Sequence, residues 1–347
     1  MVLSICLAVS LLAHVSHLFL NLLFSAAGSG SGSETRLEEV VLERHGSANK
    51  IAVLPVEGII TSSGFDGART VTAQSIEDQL KLAAKDDRVK AVLLKIDSPG
   101  GEVLASDDIY NAIVKFQNDH KKPVIASMGS LAASGGYYIS APCRWIVANE
   151  LTITGSIGVI LHTYNYRGLM NKVGLRPLVY KSGRFKDMLS GERDLEKLSP
   201  AEQTDLEAEE AMISRMIHDT FDKFKSIVAE GRQRANTQNK SNRDGSTGRR
   251  LSSEWATLAD GRVLSGKEAF EQGFVDELGN WRAAVERAQK LAGIDKAELV
   301  TYQMPFSLGN LLGLFGKSDS KSVKLDLGFD MPKLRAGLYY LSPIFLH

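Results

Sequence analysis

The sequence has only two cysteines in 347 residues, Cys6 and Cys143. Two cysteines cannot frame a disulfide scaffold or complete an all-cysteine metal site. It also lacks a charge excess of either sign, with 41 Lys and Arg against 41 Asp and Glu. That excludes the basic footprint of a nucleic-acid binder. Nor does it have the composition of a disordered chain: 44% hydrophobic and 24% charged residues are ordinary globular values. Finally, residues 1–24 contain no Asp, Glu, Lys or Arg.

That last absence sets the domain organisation. Residues 1–24 are rich in Leu, Val, Ala and Ile, and a helix of that length crosses a hydrocarbon core of about 30 Å. A cleaved signal peptide would carry a basic n-region and a shorter apolar core, so the segment reads as a retained transmembrane anchor. Nothing basic precedes it, and flanking charge therefore does not set its orientation. Cys6 follows Ile5, which is too large for a lipid-attachment pattern. The run AAGSGSGSE, Ala26–Glu34, reads as the start of a flexible linker, assigned to 25–49. A single soluble domain is expected over 50–300. The tail 301–347 has apolar clusters at 306–315 and 338–346, each too short to span a bilayer, and reads as packing or oligomer contacts.

Within 50–300, apolar strands at 51–56, 91–96, 124–127 and 145–148 alternate with helical patterns at 73–85 and 104–117. Such alternation predicts βαβ units and a mostly parallel sheet in an α/β domain. Ser199-Pro-Ala-Glu202 reads as a capping box, opening a long helix to about Glu230. The polar, basic stretch 231–250 reads as a flexible loop. A helix is expected over 281–292.

Four stretches could carry chemistry. Asp97-Ser-Pro-Gly-Gly101 follows a strand, and its glycines allow close backbone approach. Ser134 lies among small residues in Met128–Tyr138, at the expected start of a helix. There a serine is either a helix N-cap or a nucleophile beside amides able to hold an oxyanion. Thr154-Gly-Ser156 and Lys181-Ser-Gly-Arg-Phe-Lys186-Asp187 complete the set. For Lys186 to act as a general base it must be neutral, which opposes roughly 4–5 kcal/mol of preference for the ammonium form. Asp187 must then point away from it.

Taken in order, the motifs DSPGG, MGSLAASGGYYI, ANELTITGSIGVI, KSGRFKD and DGRVLSGKEAFEQGFVDELG resemble those of the signal peptide peptidase A (SppA) family, over about residues 50–290. The resemblance implies a serine endopeptidase with a Ser/Lys dyad and a crotonase/ClpP-like ββα superhelix. Ser134 matches the nucleophile, Lys186 the general base and Ser156 the serine that orients the lysine. Gly101 and Gly135 match the residues whose backbone N–H groups form the oxyanion hole. It also implies no metal or organic cofactor, and peptide substrates that are chiefly remnant signal peptides and other extended chains. The partners implied are a membrane, reached through the N-terminal segment, and a homo-oligomeric ring, by resemblance an octamer, in which adjacent subunits share each dyad. The expected location is a bacterial-type cytoplasmic membrane, crossed once, with the peptidase domain extracytoplasmic. Two other readings are open: the same fold with a histidine base, for which His120 and His162 are candidates, and an inactive membrane scaffold.

Overall fold

The computed structural model describes residues 37–64, 70–304 and 338–341. The anchor at 1–24, the Gly/Ser run and most of the tail lie outside the described residues. Among the described residues, no helix is long and apolar enough to cross a membrane. The chain divides into two units, 1–40 with 302–331 and 41–301 with 332–347. The second contains the elements discussed below, apart from the start of the first strand and the end of the thirteenth.

In chain order the strands are β1 (Glu38–Glu43), β2 (Lys50–Glu57), β3 (Ile59–Thr61), β4 (Thr70–Thr72), β5 (Val89–Ser98), β6 (Gly100–Glu102), β7 (Val124–Ala133), β8 (Trp145–Ala148), β9 (Ile153–Gly155), β10 (Ile160–Leu161), β11 (Val263–Ser265), β12 (Glu277–Leu278), β13 (Glu298–Gln303) and β14 (Leu338–Leu341). The helices are α1 (Ala73–Lys85), α2 (Val103–His120), α3 (Gly135–Ser140), α4 (Arg167–Lys172), α5 (Pro200–Asn239), α6 (Trp255–Leu258), α7 (Gly266–Glu271) and α8 (Trp281–Ala292).

The main sheet runs β13-β2-β5-β7-β8-β12, with every neighbouring pair parallel. Helices cover parallel strands on both faces, so these strands are continuous apolar runs. Ile51, Leu54, Leu93, Leu94, Ile125 and Ile146 are all fully buried. α1 buries Ala73, Ile76, Leu80 and Ala83 at helical spacing and is capped by Thr72, whose side chain accepts from the Ser75 amide. α8 packs Ala284 and Ala288 on Ile51, Leu93 and Trp145. A smaller sheet runs β10-β14-β6-β3-β4. The expectation of a mixed α/β domain with a largely parallel sheet holds.

The structure corrects two boundaries. The linker assigned to 25–49 includes a strand, β1, because Val40, Val41 and Leu42 form a strand-favouring apolar run. The flexible loop assigned to 231–250 is helical as far as Asn239. Its buried residues are Gly231, Arg232, Ala235 and Asn239, and Arg232 is fully buried in an ion pair with Asp276. Gly231 is required by contact, because a Cβ there would lie 2.5 Å from the Ala141 carbonyl oxygen.

Candidate active site

Ser134 joins the C-terminal end of β7 to α3. Its backbone has φ 54 and ψ −116, a region that L side chains rarely adopt and that stores about 1–3 kcal/mol. Neighbouring backbone holds it there: the Ser134 amide donates to the Gly155 carbonyl (2.8 Å), and the Tyr138 amide donates to the Ser134 carbonyl (2.8 Å). Although Ser134 sits at the N-cap, its side chain makes no capping hydrogen bond. Its Oγ is buried and has no hydrogen-bond partner. The capping reading of Ser134 therefore fails, and its hydroxyl remains available for chemistry.

The glycines converge on this point. A Cβ built on Gly135 would stand 2.7 Å from Ser106 Oγ and 3.1 Å from the Gly101 nitrogen. A Cβ on Gly101 would collide with the Ile60 carbonyl oxygen. Gly100, at φ 102, also lies where a Cβ would come within 2.6 Å of the Gly135 nitrogen. Only glycine permits this approach of backbone to backbone. Two residues of the same turn, read from sequence only as part of its motif, fix it in place. Asp97 accepts from the Leu131 amide (3.0 Å). The Ser98 hydroxyl donates to the Gly58 carbonyl (2.6 Å) and accepts from the Gly100 amide (3.1 Å). Two glycine backbones beside a buried, unengaged hydroxyl can do the chemistry of acyl transfer.

Ser156 follows Gly155, the partner of Ala133 in the β7–β9 pair, so Ser134 and Ser156 leave adjacent strand ends. Ser156 has φ 51 and is buried. Lys186 is placed differently. It is exposed, in a turn where its amide donates to the Gly183 carbonyl (3.1 Å). One chain does not bring its ammonium to Ser134, whose Oγ has no partner. Asp187 bonds Lys181 Nζ (2.7 Å) and lies 3.5 Å from Arg193. The Lys181 hydrogen bond holds the Asp187 carboxyl below the usual carboxylate range. His120 and His162 are exposed and pack on Phe116 and Tyr164; neither is bonded to Ser134.

Around Lys186 the surface is unusual. From Gly158 to Pro200 only Gly191 is buried. Leu169, Val173, Leu175, Leu178, Val179 and Tyr180 are all exposed there. These apolar side chains have little cover within one copy of the chain.

Sequence comparison now adds to the geometry. Residues 116–247 and 246–295 match the model of peptidase family S49. The chain belongs to peptidase family S49. This S49 chain is a serine peptidase similar to SppA. A relative from Synechocystis sp. named "Putative protease" is 38% identical over 258 residues, spanning 74% of this chain and 80% of the relative. "Putative signal peptide peptidase SppA" of Enterococcus faecium is 34% identical over 270 residues, spanning 77% and 71%. Residues 53–144 also match the Clp protease family model. Among solved structures, a mutant of the 1510-N membrane-bound stomatin-specific protease aligns with a TM-score of 0.41 at 16% identity, covering 73% of this chain and 97% of that one.

Sequence reading missed β14, which the structure places against β6. The only signal was four β-favouring residues, LYYL, near the end of a polar and glycine-rich stretch.

Proposed function

We infer that this chain is a membrane-tethered endopeptidase whose nucleophile is Ser134 and whose general base is Lys186 of an adjacent subunit. The observation that carries this reading is the split geometry. A buried, strained, unpartnered Ser134 hydroxyl lies among glycine backbones, while Lys186 projects from an uncovered apolar arm of the same chain. Docking that arm on a neighbouring copy would complete the site and exclude water from around the lysine. With Asp187 engaged by Lys181 and Arg193, no adjacent carboxylate need hold the lysine as a cation.

In the reaction, Lys186 accepts the Ser134 proton as Oγ attacks a peptide carbonyl. The Gly101 and Gly135 amides take up the oxyanion, and Ser156 orients the lysine. The proton passes to the leaving amine, and the lysine then activates a water that hydrolyses the acyl-serine ester. The fold is read as the crotonase/ClpP-like superhelix assembled into a ring. Residues 1–24 tether the site at a cytoplasmic membrane with the domain extracytoplasmic, where apolar remnant signal peptides are concentrated.

The test is complementation. Ser134→Ala and Lys186→Ala should each lose cleavage of an unfolded protein and of a synthetic signal peptide. Mixed, dissociated and reassembled, the two inactive variants should regain activity, because some sites then pair an intact serine with an intact lysine. Assembled mixtures that stay inactive would rule out a shared dyad. Retained activity in Lys186→Ala would point to another base.

A further inference from the structure

Asp187 stands next to Lys186 in the chain. A carboxylate within about 4–6 Å of a lysine favours the ammonium form, which cannot act as a base. Around this turn, however, three carboxylates are each taken by a different cation. Asp187 accepts from Lys181 Nζ at 2.7 Å and lies 3.5 Å from Arg193. Glu209 of α5, almost wholly buried, accepts two bonds from Arg193, both 2.9 Å. Asp205, one turn earlier on α5, pairs with Arg184. Among the described residues, no ion pair includes Lys186.

The hold on Asp187 comes from two sides and falls on one oxygen, Oδ1. Arg193 is fixed from behind, because a two-bond pair with a carboxylate sets direction as well as strength. Lys181 also donates to the Arg184 carbonyl at 3.0 Å, closing the turn that carries Lys186. The Lys181 hydrogen bond is the main reason that the Asp187 carboxyl lies below its usual range. Asp187 is therefore ionised at neutral pH, and what the turn controls is where that charge points. The other charged groups lining the hollow beside it are Arg167, Glu192, Asp194 and Glu202. Among the described residues none of these bonds Asp187. The Lys181 side chain is 36% exposed, and an ion pair so open to water adds little to fold stability.

We propose that Lys181 and Arg193 are positioning residues for the base: they turn the Asp187 carboxylate away from Lys186, so that the lysine enters a neighbouring copy's site without its proton. This deepens the reading of Lys186 as general base and rests on it. Two lysines of one motif thus have separate tasks, Lys186 taking the Ser134 proton and Lys181 occupying the carboxylate. Without Lys181, Asp187 keeps only the longer contact to Arg193 and is free to reach the next side chain. Lys186 then holds its proton to higher pH, and its basic form becomes scarcer at neutral pH.

The test is the pH dependence of kcat/KM for a synthetic signal peptide, measured on the detergent-purified full chain with assembly checked by size exclusion. Lys181→Met should move the acid limb up by about one pH unit, a loss of about tenfold below the limb, with activity regained at alkaline pH. Adding Asp187→Asn to that variant should move the limb back, because the carboxylate charge is gone. Lys181→Arg should keep the parent's limb. If Lys181→Met does not assemble, Lys181→Gln, which keeps a donor for the Arg184 carbonyl without the charge, goes through the same comparison. An acid limb that stays in place, whether activity is kept or lost equally at every pH, would overturn the inference and leave Lys186 as base. Parent-like activity in Lys186→Ala would instead remove the reading on which it rests.

Discussion

Ser134 shows what one residue has to bear at this site. Its φ of 54 and ψ of −116 are imposed by hydrogen bonds to Gly155 and Tyr138, and the backbone strain is about 1–3 kcal/mol. Glycine would relieve that strain while adding about 0.5–1 kcal/mol of chain entropy to the unfolded state. Ser134→Gly should therefore melt at or above the temperature of Ser134→Ala, which keeps the strain, with both inactive. A glycine variant melting several degrees below the alanine variant would show that the backbone is relaxed. The sequence shows a serine among small residues; it does not show φ, because the conformation depends on carbonyls of a strand twenty residues away. The N-cap alternative was equally legible, and only the missing capping bond at Ser134 decides against it.

Elements are held by a few ionic clamps. Arg232 of α5 and Asp276, just ahead of β12, are both fully buried. Asp276 also accepts from the Ile146 and Arg249 amides (2.9 and 3.0 Å), tying α5 to the sheet edge. Removing one member strands a buried charge, so Asp276→Ala should lower unfolding stability by about 3–5 kcal/mol, read from urea denaturation. A second clamp joins β2 to the end of α1. Partial burial of Asp86 works against its ionisation, but hydrogen bonds from Lys50 and Arg88 outweigh this and bring its carboxyl down to about 2. A carboxyl lowered on folding stabilises fully above its unfolded value of about 3.9 and loses that contribution as pH falls. Stability should thus decline from about pH 4 to about pH 2, and Asp86→Asn should flatten that decline in acid unfolding curves. Apolar periodicity made the strands at 51–56 and 91–96 and the helices at 73–85 and 281–292 legible. It missed the helical stretch 231–239 because that stretch buries a glycine, an alanine and a paired arginine rather than a stripe of leucines. It missed β14 because four residues form a strand only when residues 100–102 and 160–161 lie on either side.

At the scale of the whole molecule, the proposed reading makes one chain an incomplete catalyst, since Lys186 is exposed and does not reach the unpartnered Ser134 hydroxyl within it. The motif order in the sequence pointed to both Ser134 and Lys186, but no single-chain pattern states that they need not meet within one copy. The arm between Gly158 and Pro200, with Gly191 its only buried residue, is where that matters. Limited trypsin digestion should cut first at Lys172, Lys181 or Arg184 in dissociated protein, and assembly should protect these bonds. Equal cleavage rates before and after assembly would mean that the arm is not an interface.

That arm has a further consequence for surplus copies. An unassembled subunit displays a long, apolar, loosely packed stretch, the kind of surface by which quality-control proteases identify damaged proteins. On the proposed assembly, the surface that recruits a neighbour would also expose an unmatched subunit to destruction, and supernumerary chains would mark themselves for removal.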